Sequence, residues 1–521
     1  MRKFNVTGLC IPEEDYMADI SGKILQIKTL IDNRSYFTIN RARQYGKTTV
    51  LAGLERALQD EYTVASLSFE GLGDESFIDA KSFCAAFIKH LKRTLRNSPF
   101  FTGLFTGLQE ISISSFDLLS DFITLLCANE KVVLIIDEVD KISNNRVFLN
   151  FLSMLRNKFL ARKGGKDTTF HSVVLAGVYD IKNIKLNMIH EGSYEPGPAE
   201  DKLYNSPWNI AVNFTVDLSL TPAEIASMLA EYEFDHHTGM DITSVSELIF
   251  FFTNGYPFLV SRMCQCIDEE LDRNWCESGV RDSFKKLCIE KNTLFDDLCK
   301  NLENNPKLYD LIYDILIVGK QRLYAFGNPT VNMAVMYGII KETNRNICVS
   351  NKLFEVVICD YFISKDEESN HRIVGVLQND VIRGEIFDME LCMRKFADHF
   401  AELFNVEDIS FLERHARLLF LSFLKPLING HGFYHLESQF TDLRRMDIVV
   451  DIGRQQFIIE MKIWRGAQYQ AEAYEQLYSY LESKRSDEGY LLTFDFRKND
   501  FKQRKADWVL IKDKRIFETV V

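Results

Sequence analysis

Residues 40–49 read NRARQYGKTT and constrain the fold more than any other stretch of this 521-residue chain. An apolar run at 36–39 precedes them and predicts a strand, while the apolar spacing of 50–58 predicts a helix. In the order strand, loop, Gly-Lys-Thr, helix, backbone N–H groups and the helix N-terminus face phosphate groups. The lysine then reaches the β- and γ-phosphates, and the hydroxyl binds Mg²⁺. The stretch therefore predicts a phosphate-binding loop.

The stretch 131–140 reads KVVLIIDEVD and supplies the second half of such a site. A buried strand is expected to end at Asp137, which would hold the Mg²⁺ water shell, while Glu138 would orient and deprotonate the attacking water. This support matters because the loop pattern has glycine five residues before Gly46, where this chain has Arg41. Together the two stretches predict an ATP site with Mg²⁺ bound to Thr48 and Asp137. The residues expected to contact the nucleotide are Arg43, Gln44, Tyr45, Gly46, Lys47, Thr48, Thr49, Asp137, Pro257 and Arg262.

Further arginines could complete the nucleotide site. Arg262 lies on a helix entered at Pro257, where it could report the γ-phosphate or be an ordinary exposed helix arginine. A second basic group could reach the nucleotide of a neighbouring copy as an arginine finger; its members are Arg156, Arg162 and Lys163. The sequence therefore leaves open a homo-oligomer through the ATPase domain.

Length, apolar runs, cysteine count and net charge limit the class of protein that this sequence can encode. A chain of this length is expected to fold into two to four domains. No apolar run reaches the roughly 18 residues of a membrane span, and the N-terminus lacks an apolar signal core, so a cytoplasmic protein without a membrane partner is expected. The eleven cysteines are scattered without histidine ligand spacing, which favours buried reduced thiols over a zinc site. A net charge of −13 does not favour non-specific nucleic-acid binding, although a local basic patch can still provide it.

The pattern of apolar and polar residues divides the chain into regions. Short apolar runs alternate with helices up to about residue 220, which is typical of a parallel sheet covered on both faces. A helical stretch follows, and then helices with a hairpin around Asn344-Arg345 suggest a winged helix, a module that either binds DNA or packs against other domains. Residues 365–372 are polar and predict a linker. The chain is thus expected to be an α/β multidomain protein with a P-loop ATPase core at 1–220, a helical lid at 221–304, a winged-helix-like domain at 305–366 and a further α/β domain at 373–521.

The C-terminal region contains a second candidate catalytic site. Glu460 and Lys462 are two residues apart on a predicted strand and share one face of it. Asp447 begins the preceding strand of a hairpin that turns at Gly453, so it can come alongside them if the register allows. Two carboxylates and a lysine suit Mg²⁺-dependent phosphodiester cleavage, in which the acids bind the metal and the lysine stabilises the charged transition state. A surface hairpin with ordinary charges is the alternative.

Helices on either side are expected to extend this C-terminal site. Glu413 lies upstream and could be an additional metal ligand, and Gln476 lies downstream and could support the lysine. Further on, residues 497–515 contain eight basic and three acidic residues. This tail either contacts a phosphate backbone or is a solvated amphipathic end.

At this point the chain resembles a known family. Its first 280 residues look like the predicted AAA-ATPases of bacteria, near the signal-transduction ATPases with numerous domains, through FNVTGL, NRARQYGKTT, SFEG, LIIDEVDKI, LAGVYDIKN and GYPFLVSR. In that family an arginine at the first Walker glycine is usual. The resemblance implies an additional-strand sheet, in which one strand separates the Walker A and Walker B strands. The C-terminal order helix, D…ExK, helix resembles the PD-(D/E)xK, restriction-endonuclease-like superfamily, which is found at the C-terminus of the same family.

These features predict an ATP-regulated, Mg²⁺-dependent nuclease that acts on nucleic acid, with DNA as the expected substrate. By analogy alone, the architecture suggests defence against foreign DNA. One alternative is a nucleotide-binding switch whose degenerate nuclease fold only binds nucleic acid or a protein partner. Another is a motor-like ATPase that acts on DNA with the nuclease as an accessory.

Overall fold

The chain divides into two compact units. A computed structural model describes residues 2–96, 113–139, 146–178, 208–325, 327–370, 381–383, 386–404, 409–428, 431–437, 447–496 and 506–521. Unit 1 comprises Met1–Phe250 and Gly255–Trp275, and unit 2 comprises Phe251–Asn254 and Cys276–Val521. The helices within these described ranges include none that has the length and apolarity of a membrane span.

Unit 1 has the alternation of strands and helices that the apolar runs predict. Its strands are β1 (Tyr36–Asn40), β2 (Thr63–Ser68), β3 (Val132–Asp137) and β4 (Ser172–Gly177). Its helices are α1 (Ser21–Asp32), α2 (Lys47–Leu58), α3 (Ala80–Thr94), α4 (Phe116–Leu126), α5 (Arg146–Lys163), α6 (Pro222–His236), α7 (Ile242–Thr253) and α8 (Pro257–Glu270), of which α7 ends in the short segment that belongs to unit 2.

The four strands of unit 1 form a parallel sheet in the order β1-β4-β3-β2. Every residue of β3 and β4 is buried. Leu134 and Ile136 pack into the core on one face of the sheet, and Val133 and Ile135 pack into the core on the other. Since alternate side chains of a strand point to opposite faces, a strand is apolar throughout only when both faces are covered. The predicted covered parallel sheet is therefore confirmed.

The edges of this sheet also follow the prediction in part. One strand, β4, separates the strand before the phosphate-binding loop from the strand that ends at Asp137, as the resemblance implied. Beyond β1, the chain adds a single parallel bridge between Phe37 and Val212, where Val212 N donates to the carbonyl of Tyr36 at 2.9 Å. This short segment still covers the free side of β1.

The turn into α8 depends on a glycine. Gly255 has a φ of +70°, and a Cβ at this position would lie 2.0 Å from the carbonyl oxygen of Leu220. The same two residues are joined by a hydrogen bond from Leu220 N to the Gly255 carbonyl at 2.7 Å. Both the left-handed conformation and the close backbone approach require a residue without a side chain. The turn thereby fixes where α8 begins.

Unit 2 begins with helices and a hairpin. The helices are α9 (Glu277–Cys288), α10 (Thr293–Asn304), α11 (Pro306–Tyr313), α12 (Pro329–Met336) and α13 (Lys352–Asn370), with a π-helical segment at Asp314–Val318. Strands β5 (Ile340–Thr343) and β6 (Asn346–Val349) pair antiparallel around Asn344 and Arg345, both of which have positive φ angles. The predicted hairpin is thus present, while its assignment to a winged helix stays a prediction.

The linker predicted at 365–372 is wrong for its first six residues. Helix α13 continues to Asn370, and residues 371–372 lie outside the described part of the chain. Lys365 forms an ion pair with Glu303 of α10 at 3.1 Å. A polar composition does not exclude a helix, because Lys and Glu have high helix propensity.

The C-terminal part of unit 2 is built on a mixed sheet of six strands in the order β13-β14-β12-β11-β10-β9. These strands are β9 (Gly432–Glu437), β10 (Asp447–Ile452), β11 (Gln455–Ile463), β12 (Glu488–Phe494), β13 (Ala506–Ile511) and β14 (Lys514–Val520); a two-residue pair, β7 (Ile382–Arg383) and β8 (Ile386–Phe387), precedes them. The helices are α14 (Met389–Phe404), α15 (Ile409–Ile428) and α16 (Ala467–Lys484). Strands β9, β10 and β11 pair antiparallel, and α16 then leads to β12, which pairs parallel to β11.

Part of the basic tail predicted at 497–515 is a pair of strands. Residues 497–505 lie outside the described residues, but 506–520 form the antiparallel hairpin β13–β14, and β14 pairs parallel to β12. Lys514 forms ion pairs with Glu482 and Asp487, and Arg515 pairs with Glu488 at 2.7 Å. In this described part the basic residues pair with carboxylates of the same unit, so the segment is a strand pair rather than a solvated end. Its contact with a phosphate backbone stays a prediction.

Candidate functional sites

The phosphate-binding loop closes at the start of α2. Gly46 caps this helix with a φ of 74°, and Gln44 also has a positive φ of 55°. The buried Lys47 folds back over the loop, where its Nζ donates to the carbonyl oxygens of Arg41 at 3.0 Å and Ala42 at 2.9 Å. A loop that turns left-handed before a helix N-terminus presents its N–H groups on a concave side, which suits an anion.

The loop and the acidic strand end meet directly. Thr48 Oγ1 donates to Asp137 Oδ2 at 2.9 Å, and Glu138 N donates to Asp137 Oδ1 at 2.9 Å. Asp137 is buried and ends β3, whereas Glu138 is half-buried and has a left-handed φ of 56°. A hydroxyl and a carboxylate at this spacing are the hard oxygen ligands that Mg²⁺ takes in proteins, so the residues present fit the predicted ion.

Arg41 does not disturb the loop, although a glycine was expected at its position. The left-handed turns fall at Gln44 and Gly46, so the backbone at Arg41 needs no glycine. Its guanidinium donates to the carbonyl of Val216 at 2.7 Å and lies over the ring of Phe214, with 5.4 Å between Cζ and the ring centroid. Burial lowers the pKa of Arg41 from its ordinary value. The side chain therefore ties the loop to the segment that flanks β1.

The entry of α8 packs against the same loop. The Tyr256 hydroxyl donates to the carbonyl of Arg43, and the rings of Tyr45 and Tyr256 meet edge to face with centroids 4.7 Å apart. Pro257 lies beside Gly46, since a Cβ built on that glycine would be 3.7 Å from the proline ring. Burial raises the pKa of Tyr45 to about 12, so this phenol stays neutral. Pro257 thus lies beside the loop, while its contact with a nucleotide stays a prediction. Tyr256 is a neighbour that the sequence analysis missed.

The remaining predicted nucleotide residues have contacts within unit 1. Thr49 Oγ1 accepts a hydrogen bond from Cys10 N at 3.3 Å, which brings the N-terminal segment to the first turn of α2. Arg262 forms an ion pair with Glu270 on its own helix at 2.7 Å. Its contact with a nucleotide stays a prediction. The sequence carried no signal for the Cys10–Thr49 contact, because the two residues belong to separate patterns.

The arginine finger is not supported for Arg162. Its guanidinium donates to the carbonyls of His171 at 2.9 Å and Arg34 at 3.0 Å, so it ties β4 to the turn before β1 within its own unit.

In unit 2 the structure brings three predicted residues together. Lys462 Nζ lies 3.2 Å from Glu460 Oε1 and donates to Gln476 Oε1 at 3.1 Å. Glu460 is only 1% exposed, in the middle of β11, and Gln476 reaches the strand from α16. Helix α16 is held on this face by Leu477 and Leu481, which pack on apolar residues of the sheet. A buried carboxylate beside a lysine is costly unless charges compensate or a ligand is bound.

The register of the hairpin bears on Asp447. Strands β10 and β11 pair with Ile448 opposite Ile459 and Val449 opposite Ile458. Continued by one residue, this register brings Asp447 opposite Glu460, and directly opposed residues share one face of the sheet. The side chains of Asp447 and Glu413 lie outside the described part of the structure. Within the described part, no three His, Cys, Asp or Glu side chains cluster as metal ligands.

A family model and several solved structures are similar to this chain. A family model described as an AAA-like domain matches residues 16–362, more than half of the chain. Among solved structures, a Walker-type ATPase of Pyrococcus abyssi is 14% identical with a TM-score of 0.44, and the match covers 68% of this chain and 99% of that one. The ORC2 protein of Aeropyrum pernix, in its ADPNP–ADP complexes, is 13% identical with a TM-score of 0.35, with 70% and 97% covered. A search of curated proteins gave no match. Because this family model matches more than half of the chain, the chain belongs to the AAA-like domain family.

Proposed function

We propose that unit 1 binds and hydrolyses ATP with Mg²⁺ and acts as a switch. The observation that carries this proposal is the 2.9 Å hydrogen bond between Thr48 and Asp137, which joins the loop to the end of β3. When bound, Mg²⁺ would neutralise phosphate charge. Thr48 and Asp137 would hold it, while Lys47 would leave the loop carbonyls and turn to the β- and γ-phosphates. Glu138, beside Asp137 on the same strand end, would orient and deprotonate the attacking water.

Two substitutions separate binding from hydrolysis. Lys47→Ala removes a charge that acts on the ground state, so binding of a fluorescent ATP analogue is expected to be lost. Glu138→Gln acts only on the attacking water, so binding is expected to persist while phosphate release falls by about 10²–10⁴-fold. Lys28→Ala, at a lysine of α1 whose ammonium pairs with Asp32 and Glu61, serves as the matched lysine control. Equal turnover in wild type and Glu138→Gln would refute the assignment.

The C-terminal domain of unit 2 would be the effector of this switch, a Mg²⁺-dependent nuclease acting on DNA. The position of Lys462 between Glu460 and Gln476 supports this proposal. Asp447 and Glu460 would hold the ion, and Glu413 would add a ligand from α15. Lys462 would stabilise charge that grows on the phosphate, and Gln476 would hold the ammonium in place for it. Defence against foreign DNA remains an analogy with similar architectures.

A plasmid nicking assay with Mg²⁺ and ATP tests the effector. Lys462→Ala is expected to slow cleavage by about 10²-fold or more, because its charge matters mainly in the transition state. Lys484→Ala, at the exposed end of α16, controls for loss of a lysine from the same region. If ATP is the switch, Lys47→Ala in unit 1 will also lower cleavage. Cleavage that is equal in wild type and Lys462→Ala would contradict the assigned role.

A second candidate function is a binding module without cleavage. The observation in its favour is that Lys462 already has two partners within the domain, so the cluster could be structural. In that case the chain would shift a labelled DNA duplex in a gel but leave plasmid intact with Mg²⁺, and Glu460→Gln would not change that outcome.

A further inference from the structure

Arg417 is a cation of unit 2 that no part of the proposed mechanism uses. It lies on α15, one helical turn after Glu413, and its side chain is partly exposed. Its Nη1 atom is buried and has no hydrogen-bond partner among the described residues. An unpaired buried donor costs free energy, and a charged one costs more. An anion bound at this position would accept a hydrogen bond from Nη1 and compensate the charge of Arg417.

A glycine holds the guanidinium in place. Gly319 follows the π-helical segment with a φ of +70°, and a Cβ there would lie 1.9 Å from Arg417 Nη1 and 2.8 Å from its Cζ. No other residue type leaves room for the guanidinium against this backbone. Contact with Gly319 restricts the side chain, so little further rotamer entropy is lost when a ligand binds.

The charge environment identifies the type of anion. Burial lowers the pKa of the Arg417 guanidinium, and the nearby carboxylate of Glu460 opposes that shift. Arg417 is thus close enough to Glu460, the partner of Lys462, for the two charges to interact. Lys462 is engaged by Glu460 and Gln476, whereas the planar fork of Arg417 matches the paired oxygens of a phosphate.

We infer that Arg417 binds a phosphate of the DNA backbone at the C-terminal site, held there by Gly319. This inference rests on the proposed action of unit 2 on DNA. It adds a substrate-positioning contact from α15 to the site formed by β10, β11 and α16. Because a backbone phosphate carries no sequence information, the contact serves affinity and register on the strand rather than base choice.

The test is the salt dependence of binding. A short fluorescein-labelled DNA duplex is titrated with the full-length chain at several salt concentrations, with Ca²⁺ replacing Mg²⁺ to limit cleavage, and anisotropy is recorded. Arg417→Met keeps the length of the side chain and is expected to weaken binding by about 10-fold or more. It should also reduce the slope of log K against log salt by roughly one, which is the mark of one lost phosphate contact. Arg417→Lys keeps the positive charge and should therefore keep the slope of log K against log salt. Gly319→Ala should weaken binding as well, since its Cβ displaces the guanidinium.

The matched control is Arg394→Met, because Arg394 is an arginine of unit 2 that pairs with Glu390 at 2.8 Å on α14. It is expected to leave affinity and slope unchanged. A wild-type chain that binds the duplex, with an unchanged slope in Arg417→Met, would overturn this inference and leave the proposed nuclease standing. A wild-type chain that neither binds nor cleaves DNA would overturn both. Near-ultraviolet circular dichroism of each variant shows that the comparison is made on folded protein.

Discussion

Arg41 shows how a single side chain can replace a glycine in a nucleotide-binding loop. Because the backbone turns at Gln44 and Gly46, position 41 is free to carry an anchor to the carbonyl of Val216 and the ring of Phe214. Arg41→Gly restores the usual loop pattern but removes this anchor. We expect no gain in ATP affinity and a free energy of unfolding of unit 1 lower by about 1–3 kcal/mol. Urea denaturation and an ATP titration measure the two effects; tighter ATP binding without loss of stability would contradict the role of the anchor.

His171 gives unit 1 a dependence on pH. Its pKa is lowered from 6.5 to about 4, mainly by burial and further by the cations Arg34, Arg162 and Lys131. Between these values the unfolded chain binds a proton that the folded chain does not, so stability is complete above about pH 6.5 and falls as the pH drops toward 4. Denaturation at pH 7 and pH 5 should show this loss, and His171→Gln should reduce it. An identical pH slope in the variant would rule His171 out as its source.

For single residues, the sequence indicated candidate site residues more readily than the groups that they contact in the structure. Thr48 meets Asp137, and Lys47 folds over the adjoining loop, because a parallel sheet brings such strand ends to one edge. Their contacts with a nucleotide stay predictions. Arg262 and Arg162 were predicted by charge alone. Their partners in the structure are a carboxylate eight residues away and backbone carbonyls of another element, which no local spacing encodes.

Among the elements, the C-terminal hairpin was missed although its signal is in the sequence. Residues 506–511 and 514–520 are strand-like runs separated by two turn residues, which is a hairpin pattern. The basic residues of 497–515 instead favoured the prediction of a tail. The covered parallel sheet was predicted correctly, because its continuous apolar strands at 132–137 and 172–177 admit few other structures. The register of β10 and β11, in which Ile448 lies opposite Ile459, could not be predicted, since a slip of one residue leaves the composition unchanged.

This hairpin leads to a prediction about nucleic acid. Lys512 pairs with Glu475 at 2.7 Å and Arg515 with Glu488 at 2.7 Å, and both pairs are solvent-exposed. The double substitution of Lys512→Gln and Arg515→Gln should therefore change stability by less than about 1 kcal/mol. Affinity for the labelled duplex and its salt slope should stay as in wild type, in contrast to Arg417→Met. A reduction of the slope by roughly one or two would instead show that this strand pair contacts phosphate.

On the scale of the whole molecule, the segment Phe251–Asn254 belongs to unit 2 although both of its flanks belong to unit 1. Phe252 is fully buried, with its ring 4.3 Å from that of Phe284 and 6.4 Å from that of Phe433. Phe252→Ala should lower the free energy of unfolding of unit 2 by about 3–5 kcal/mol. Hydrogen exchange followed by mass spectrometry would locate the loss in α9 and β9. Increased exchange confined to unit 1 would contradict the assignment of the segment.

The same segment has a consequence for how such a chain can be inherited. The two units cannot be separated by one cut in the gene, because any single breakpoint that frees residues 276–521 leaves Phe251–Asn254 behind with the ATPase. A C-terminal half acquired by simple end-to-end fusion would not include a piece of α7. Recombination that exchanges the C-terminal half alone would therefore yield chains with an unfilled core, and lineages should keep α7 and its downstream partners as one genetic block.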